Sequence, residues 1–447
     1  MRVSILATDS RGVIQPLVAL AQKLKRNHVV RFVTHERFRN FIDDNGLEFR
    51  PLPDQPRGRW GSEEAAQLTM RLRVKYTLNL ARHFIGGSSR RPLQREQSEP
   101  SYMERLWNAS WEACRDSDAM IFVWTSIWGC IIAEKLQVPA ICAGFFPMTR
   151  TREFPHFGLY HVSRRWPLGG WFNRLSYDVF DRASWNFARR ASLDFRQGLG
   201  LPPLPAKVKD YRPYQEMLVL YGISPQVLPR PEDWPAHHQL SGYWHLHSEH
   251  YWQPAPELRE FLAAGPPPVC AGFGSMTGGD TAGLTDTVVR ALQRAGQRGL
   301  LLTGWGGMEN KSLPSGFLAI KEAPHDWLFP QTAAVIHHGG CGTTGAALTA
   351  GVPSIVTPWF GGDQPFWAER VIRLGCGPRA ASKGRLTVDN LAQAVREAVT
   401  DPQIRENARR MGERLRSEDG AGQAAELIDE YLKARSVPVA HRPGLLR

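Results

Sequence analysis

Short apolar runs alternate with stretches of helical spacing along the chain, and glycine-containing turns separate many of them. Val3 to Ala7 predicts a strand, Ser10-Arg11-Gly12 a turn, and Leu17, Leu20, Ala21 and Leu24 a helix with Pro16 in its first turn. Val29 to Val33 predicts a second strand, Phe38 to Asn45 a helix closed by Gly46, and Leu47 to Leu52 a third strand. Ala119 to Val123, Ile127 to Leu136 and Ala140 to Ala143 repeat the strand–helix–strand rhythm of a parallel sheet. The rhythm restarts with Val269 to Phe273, Leu284 to Arg294, Leu300 to Thr303, Leu318 to Lys321, Ala334 to His337, a helix from about Thr343, and Ser354 to Val356.

This pattern predicts an α/β protein of two Rossmann-like, doubly wound domains facing across a cleft. The segment 224–268, rich in Pro, Trp and His, reads as a semi-rigid linker between an N-terminal domain, 1–223, and a C-terminal domain, 269–420. Residues 421–447 read as a closing helix and tail that can pack back on the first domain. Two stretches fit neither rhythm: a basic one from Gly86 to Ser101 and an aromatic one from Phe145 to Trp185. The aromatic stretch reads equally as satellite core or as the lining of an apolar ligand pocket.

The chain has 447 residues, 42% hydrophobic, enough for large cores and incompatible with a disordered chain. Its net charge of +12 favours anionic partners without choosing among them. The basic residues are scattered in short clusters, and no nucleic-acid module signature is present. Six widely spaced cysteines with no Cys-x-x-Cys pair fit a reducing compartment better than a disulfide framework or a zinc site. With no signal-like start, and with Ala119 to Ala133 too short to cross a bilayer, a cytoplasmic protein is expected.

The chemistry concentrates between Val335 and Arg370. A strand ends at His337-His338, Gly339, Gly340 and Gly342 strip the turn of side chains, and Thr343-Thr344 can cap the helix that follows. Backbone amides at a helix N-terminus beside a histidine donor suit a phosphate or diphosphate. Gly272-Phe273-Gly274-Ser275, after its own strand, is a second and weaker turn of that kind. Asp363-Gln364 offers a carboxylate beside an amide, apt for sugar hydroxyls, although before Pro365 it also reads as a helix cap.

The run from 335 to 370 closely resembles the donor-binding signature of family-1, GT-B-fold glycosyltransferases, in the branch of sterol glucosyltransferases and vancomycin-type antibiotic glycosyltransferases. Gly-Phe-Gly-Ser-Met at 272–276, Thr-Gly-Trp-Gly-Gly at 303–307 and Ala-Pro-His-Asp-Trp-Leu-Phe-Pro at 323–330 carry the likeness in order. The Ser10-Arg11-Gly12 turn with Pro16-Leu17, the stretch 149–156 and the run 231–244 extend it over most of the chain. The resemblance implies metal-independent, inverting transfer of a sugar from a nucleoside diphosphate sugar, UDP favoured over dTDP, to a lipophilic acceptor such as a sterol or polyketide. No cofactor is implied, because the nucleotide sugar is a co-substrate. By position, Ser275, His338, Gly340, Gly342 and Thr343 would hold the diphosphate, Pro324 and His325 the nucleobase, and Asp363 and Gln364 the sugar. Phe145, Phe146 and Phe154 would face the acceptor.

Two positions depart from the pattern. Where this branch carries Asp, and related enzymes His, as the base that deprotonates the acceptor, this chain has Val13, leaving Asp9 as the nearest carboxylate. The run 358–364 is one residue longer than the usual form. The first departure keeps open a second function, a catalytically weak protein that binds nucleotide sugar or assists a partner. The aromatic and basic segments of the N-terminal half add peripheral contact with a membrane as a third.

Overall fold

The structure, a computed structural model, describes residues 1–54, 101–160, 169–246, 252–274, 281–304, 313–359 and 362–436. Ser275, Trp166, the basic stretch 86–100 and the Trp305-Gly306-Gly307 part of the resemblance lie outside those residues. Two parallel sheets carry the fold. The first contains β1 (Arg2–Leu6), β2 (Val29–His35), β3 (Glu48–Leu52), β4 (Ala119–Val123), β5 (Ala140–Gly144), β6 (Leu218–Tyr221) and β7 (His238–Leu240), ordered β3-β2-β1-β4-β5-β6-β7. The second contains β8 (Val269–Gly272), β9 (Gly299–Leu302), β10 (Phe317–Ile320), β11 (Ala334–His337) and β12 (Ser354–Val356), ordered β10-β9-β8-β11-β12. β4 and β5 are buried along their whole length, as strands covered on both faces must be, which explains their unbroken apolar runs.

In both sheets the strand order reverses beside the first strand, between β1 and β4 and between β8 and β11. Ligands of open parallel sheets bind beyond the carboxyl ends of the strands at such a switch point. The loops that arrive there contain Thr8 and Asp9, Trp124 to Ser126, Gly274, and His338 to Gly340. Thr8 and Ser126 hydroxyls, 2.8 Å apart, tie the first pair of loops together.

Residues 238–240, within the proline-rich segment read as linker, form the edge strand β7, and Pro256–Ala263 forms a helix. Helix α1 spans Arg11–Leu24, so Pro16 sits inside it and not in its first turn. Proline has no N–H to return to the carbonyl four residues back, here that of Gly12. That carbonyl faces the second sheet's unit: a Cβ on Gly342 would lie 3.6 Å from it.

Helix α2 (Gly169–Ala191) occupies the aromatic stretch, α3 (Cys341–Ala350) follows β11, α4 (Gln364–Arg373) follows β12, and α5 (Gly420–Ser436) returns to the first sheet's unit. There the Tyr431 hydroxyl donates to the Ala140 carbonyl at 3.2 Å, and Lys23 pairs with Asp419 at 2.7 Å. Arg370 donates to the Val227 carbonyl at 2.7 Å, and one contiguous core runs from β1 through Trp244, Leu348 and Trp367 to Leu432. All six cysteines are buried thiols. No described helix is long and apolar enough to cross a membrane.

Candidate functional site

β11 delivers two histidines to the switch point with different fates. His337 is fully buried, and its Nδ1 accepts the Gly339 N–H at 3.1 Å. Gly339 turns the chain at φ +90°, and a Cβ there would meet Val356 at 2.7 Å, so only glycine fits. Gly340 is the N-cap of α3 and the helix begins at Cys341, which corrects the expectation that Thr343-Thr344 caps it. Both threonines lie inside the first turn, and the Thr344 hydroxyl donates back to the Gly340 carbonyl at 2.9 Å. Among the described residues no side chain caps this end, so the first-turn amides of Cys341, Gly342 and Thr343 suit a ligand at the positive end of the helix dipole.

His338 lies over that end. A Cβ on Gly340 would sit 2.5 Å from its Nε2, and one on Gly274 would sit 3.3 Å from its Cε1, so glycines on β11's and β8's loops make its berth. Its Nδ1 is buried without a hydrogen-bond partner among the described residues. Burial, reinforced by His325, lowers its pKa to about 4, so at neutral pH it is an uncharged imidazole with one N–H to give. His325, the first residue of helix His325–Leu328, stacks on Phe329 with ring centres 4.3 Å apart. Pro324 caps that helix by position, and burial lowers the pKa of His325 to about 4 as well. From the first sheet's unit Arg11 reaches Glu322, beside this loop, at 3.3 Å.

Asp363 stands at the N-cap position of α4, yet its carboxylate does not cap the helix. It accepts the indole N–H of Trp367, one turn on, at 3.1 Å. Burial raises its pKa to about 6, the Trp367 bond opposes that rise, and the charge of Asp9 adds to it. Gln364 is buried, and its Oε1 accepts the Trp359 N–H at 2.8 Å, which commits its carbonyl end to that backbone group. Lys383 covers the Trp359 ring at 3.8 Å from its centre.

On the opposite side, Asp9 is half-buried and accepts the Ser10 N–H at 2.6 Å. Its charge, on the first sheet's unit, is the one that adds to the rise at Asp363 on the second. Val13, in the first turn of α1, packs against the core as an aliphatic side chain. The three phenylalanines read as acceptor-facing each pack on a different aromatic neighbour. Phe145 is buried edge-on to Trp244 at 5.4 Å, Phe146 packs on Phe157 at 5.3 Å, and Phe154 reaches across to Phe366 of α4 at 5.3 Å. Sequence reasoning missed Arg11, Trp367 and the freed Gly12 carbonyl. The i, i+4 spacing of Asp363 and Trp367, and the position of Pro16 relative to Gly12, were the available signals for two of them.

Residues 3–155 match the model of the glycosyltransferase family 28 N-terminal domain, and residues 306–429 that of the erythromycin biosynthesis protein CIII-like C-terminal domain. The O-mycaminosyltylonolide 6-deoxyallosyltransferase of Streptomyces fradiae is 35% identical over 446 residues, covering 99% of this chain and 100% of that protein. The sterol 3-beta-glucosyltransferase of Pichia angusta is 36% identical over 453 residues, which is 98% of this chain but only 34% of that longer protein. Among solved structures, the calicheamicin glycosyltransferase CalG4 aligns with TM-score 0.65 at 19% identity, over 98% of this chain and 99% of that one. The glycosyltransferase VinC, in complex with dTDP, aligns with TM-score 0.60 at 18% identity, over 96% and 99%. The two structural likenesses concern the fold.

Proposed function

Because the chain belongs to the GT-B glycosyltransferases related to sterol and macrolide glycosyltransferases, we propose that it transfers a sugar, with inversion, from a nucleoside diphosphate sugar to a lipophilic hydroxyl acceptor such as a sterol or polyketide. The observation that supports this most is His338, its Nδ1 unpartnered and buried, over the uncapped N-terminus of α3. An uncharged imidazole N–H and first-turn amides, together with Ser275, would bind the diphosphate. As the anomeric bond breaks, its electron pair goes to that diphosphate, and donors already aimed there stabilise the growing charge without reorganising. Pro324 and His325 would flank the base. UDP is the expected nucleotide and dTDP, the ligand of VinC, its competitor.

Asp363, ionised, would accept sugar hydroxyls, with the Gln364 amide beside it. The acceptor oxygen attacks the face opposite the leaving group and must lose a proton. Val13 cannot take it, so Asp9 is the proposed base. Asp9→Asn should then lower turnover by about a hundredfold or more while leaving nucleotide affinity unchanged. The aliphatic packing of Val13 favours one second reading, a nucleotide-sugar-binding or auxiliary protein of low intrinsic activity. Turnover against a panel of sterol and polyketide acceptors separates the two. Product that disappears in Asp363→Ala supports the transferase, and nucleotide binding with no product from any acceptor supports the auxiliary role.

A further inference from the structure

The start of α2 leaves a large aromatic side chain in water among arginines, none of which is assigned to the donor site. Trp171 keeps 74% of its surface exposed, and Leu175, one turn later, keeps 38%. Beside them opens a cavity of about 470 Å³ lined by Arg150, Arg152, Arg174 and Asp178. Asp178 is the one acid among the described residues of that lining and is paired with Arg150 at 2.7 Å. Arg152 is exposed, and the Nε of Arg174 is buried without a hydrogen-bond partner among the described residues. Three guanidinium groups against one carboxylate leave the rim positive, and the apolar tip stands directly next to it.

Water pulls the two halves of such a surface in opposite directions. Tryptophan, apolar in body with a polar N–H, is suited to the headgroup layer of a bilayer, and arginine pairs there with phosphate oxygens. We propose that this face docks the protein on an anionic lipid surface, Trp171 and Leu175 entering the headgroup boundary while Arg152 and Arg174 meet lipid phosphates. Charge complementarity favours lipid over a protein partner, because a protein interface would have to bury these arginines against matched carboxylates. The proposal stands apart from donor chemistry and is read without donor or acceptor.

The test is co-sedimentation of the full chain with phosphatidylcholine vesicles, with and without phosphatidylglycerol, at low and high salt. Binding should require phosphatidylglycerol and fall at high salt. Each arginine neutralised near the surface should cost about fivefold, so Arg152→Gln with Arg174→Gln should lower partition roughly twenty-five-fold. Trp171→Ala should lower it roughly tenfold and Trp171→Phe should restore most of that, with thermal denaturation confirming that each variant is folded. Because the whole chain is cationic, the control pair Arg405→Gln with Arg414→Gln, exposed on helix Pro402–Arg416, should stay within about twofold of the parent. Equal loss in the two pairs would mean general adsorption and overturn the proposal. So would failure of the parent protein to bind anionic vesicles at low salt, or indifference to Trp171→Ala.

Discussion

Replacing Asp363 by asparagine should make the protein more stable at alkaline pH while impairing its activity. The carboxyl is held at about 6 against an ordinary 3.8, a rise worth about 3 kcal/mol. The sign follows from linkage: a carboxyl whose pKa is raised in the fold costs nothing when protonated in both folded and unfolded chains, below about 3.8. The cost grows as pH rises toward 6 and is complete above it. Asparagine carries no charge to desolvate, and its Oδ1 can still accept the Trp367 indole N–H that Asp363 takes at 3.1 Å. The variant should therefore gain up to about 3 kcal/mol at pH 8, seen as roughly 3 °C in the apparent Tm where all 447 residues unfold together, and nothing near pH 3.5. Thermal denaturation of parent and variant across that range is the assay. An equal difference at both ends, or a variant less stable at pH 8, would refute burial of a charge as the cause. In the parent, kcat/KM should climb through an ascending limb near pH 6, as the carboxylate needed for sugar hydroxyls forms, and the asparagine variant should lack that limb.

Three more substitutions probe the same geometry. Trp367→Phe removes the donor that opposes the rise at Asp363, so the ascending limb should move to higher pH, with a loss of about 1 kcal/mol from the missing bond, read by pH–rate profiles and denaturation. Gly340→Ala places a methyl group 2.5 Å from the present position of His338 Nε2, so the imidazole must shift. Nucleotide affinity in a direct titration should fall about as far as in His338→Ala, at least roughly tenfold, while Gly362→Ala, whose Cβ meets nothing within 4 Å but whose φ is +87°, should act on stability first.

The two-sheet architecture was legible because buried parallel strands are short apolar runs punctuated by glycine and proline, and Ala334–His337 and Ser354–Val356 form over the residues that pattern marks. The start of α1 was misplaced because Ser10-Arg11-Gly12 has turn chemistry, yet glycine is tolerated in a first helical turn and nothing there forbids helix. β7 escaped because three residues, His238–Leu240, are too few to show a period, and an edge strand near prolines reads as linker. At the turn after β11, the glycines announced that side chains were unwelcome, but not that the intruder at Gly340 would be His338. That depends on a side-chain rotamer. The aromatic stretch marks the converse limit: it states how much apolar area must be covered and leaves open what covers it, Trp244 for Phe145, Phe157 for Phe146 and Phe366 for Phe154. The contact of Phe154 with Phe366 joins residues of the two units, which no pattern within either unit announces.

The donor site is tested most directly by calorimetric titration of the purified protein with UDP and, in parallel, dTDP, using His338→Ala as the comparison. Saturable binding of one nucleotide, UDP by expectation, weakened at least roughly tenfold by the substitution, is the predicted result. A well-folded protein that binds neither nucleotide at millimolar concentration, or binds one equally well without the imidazole, would contradict the assignment of His338 and the α3 N-terminus to the diphosphate.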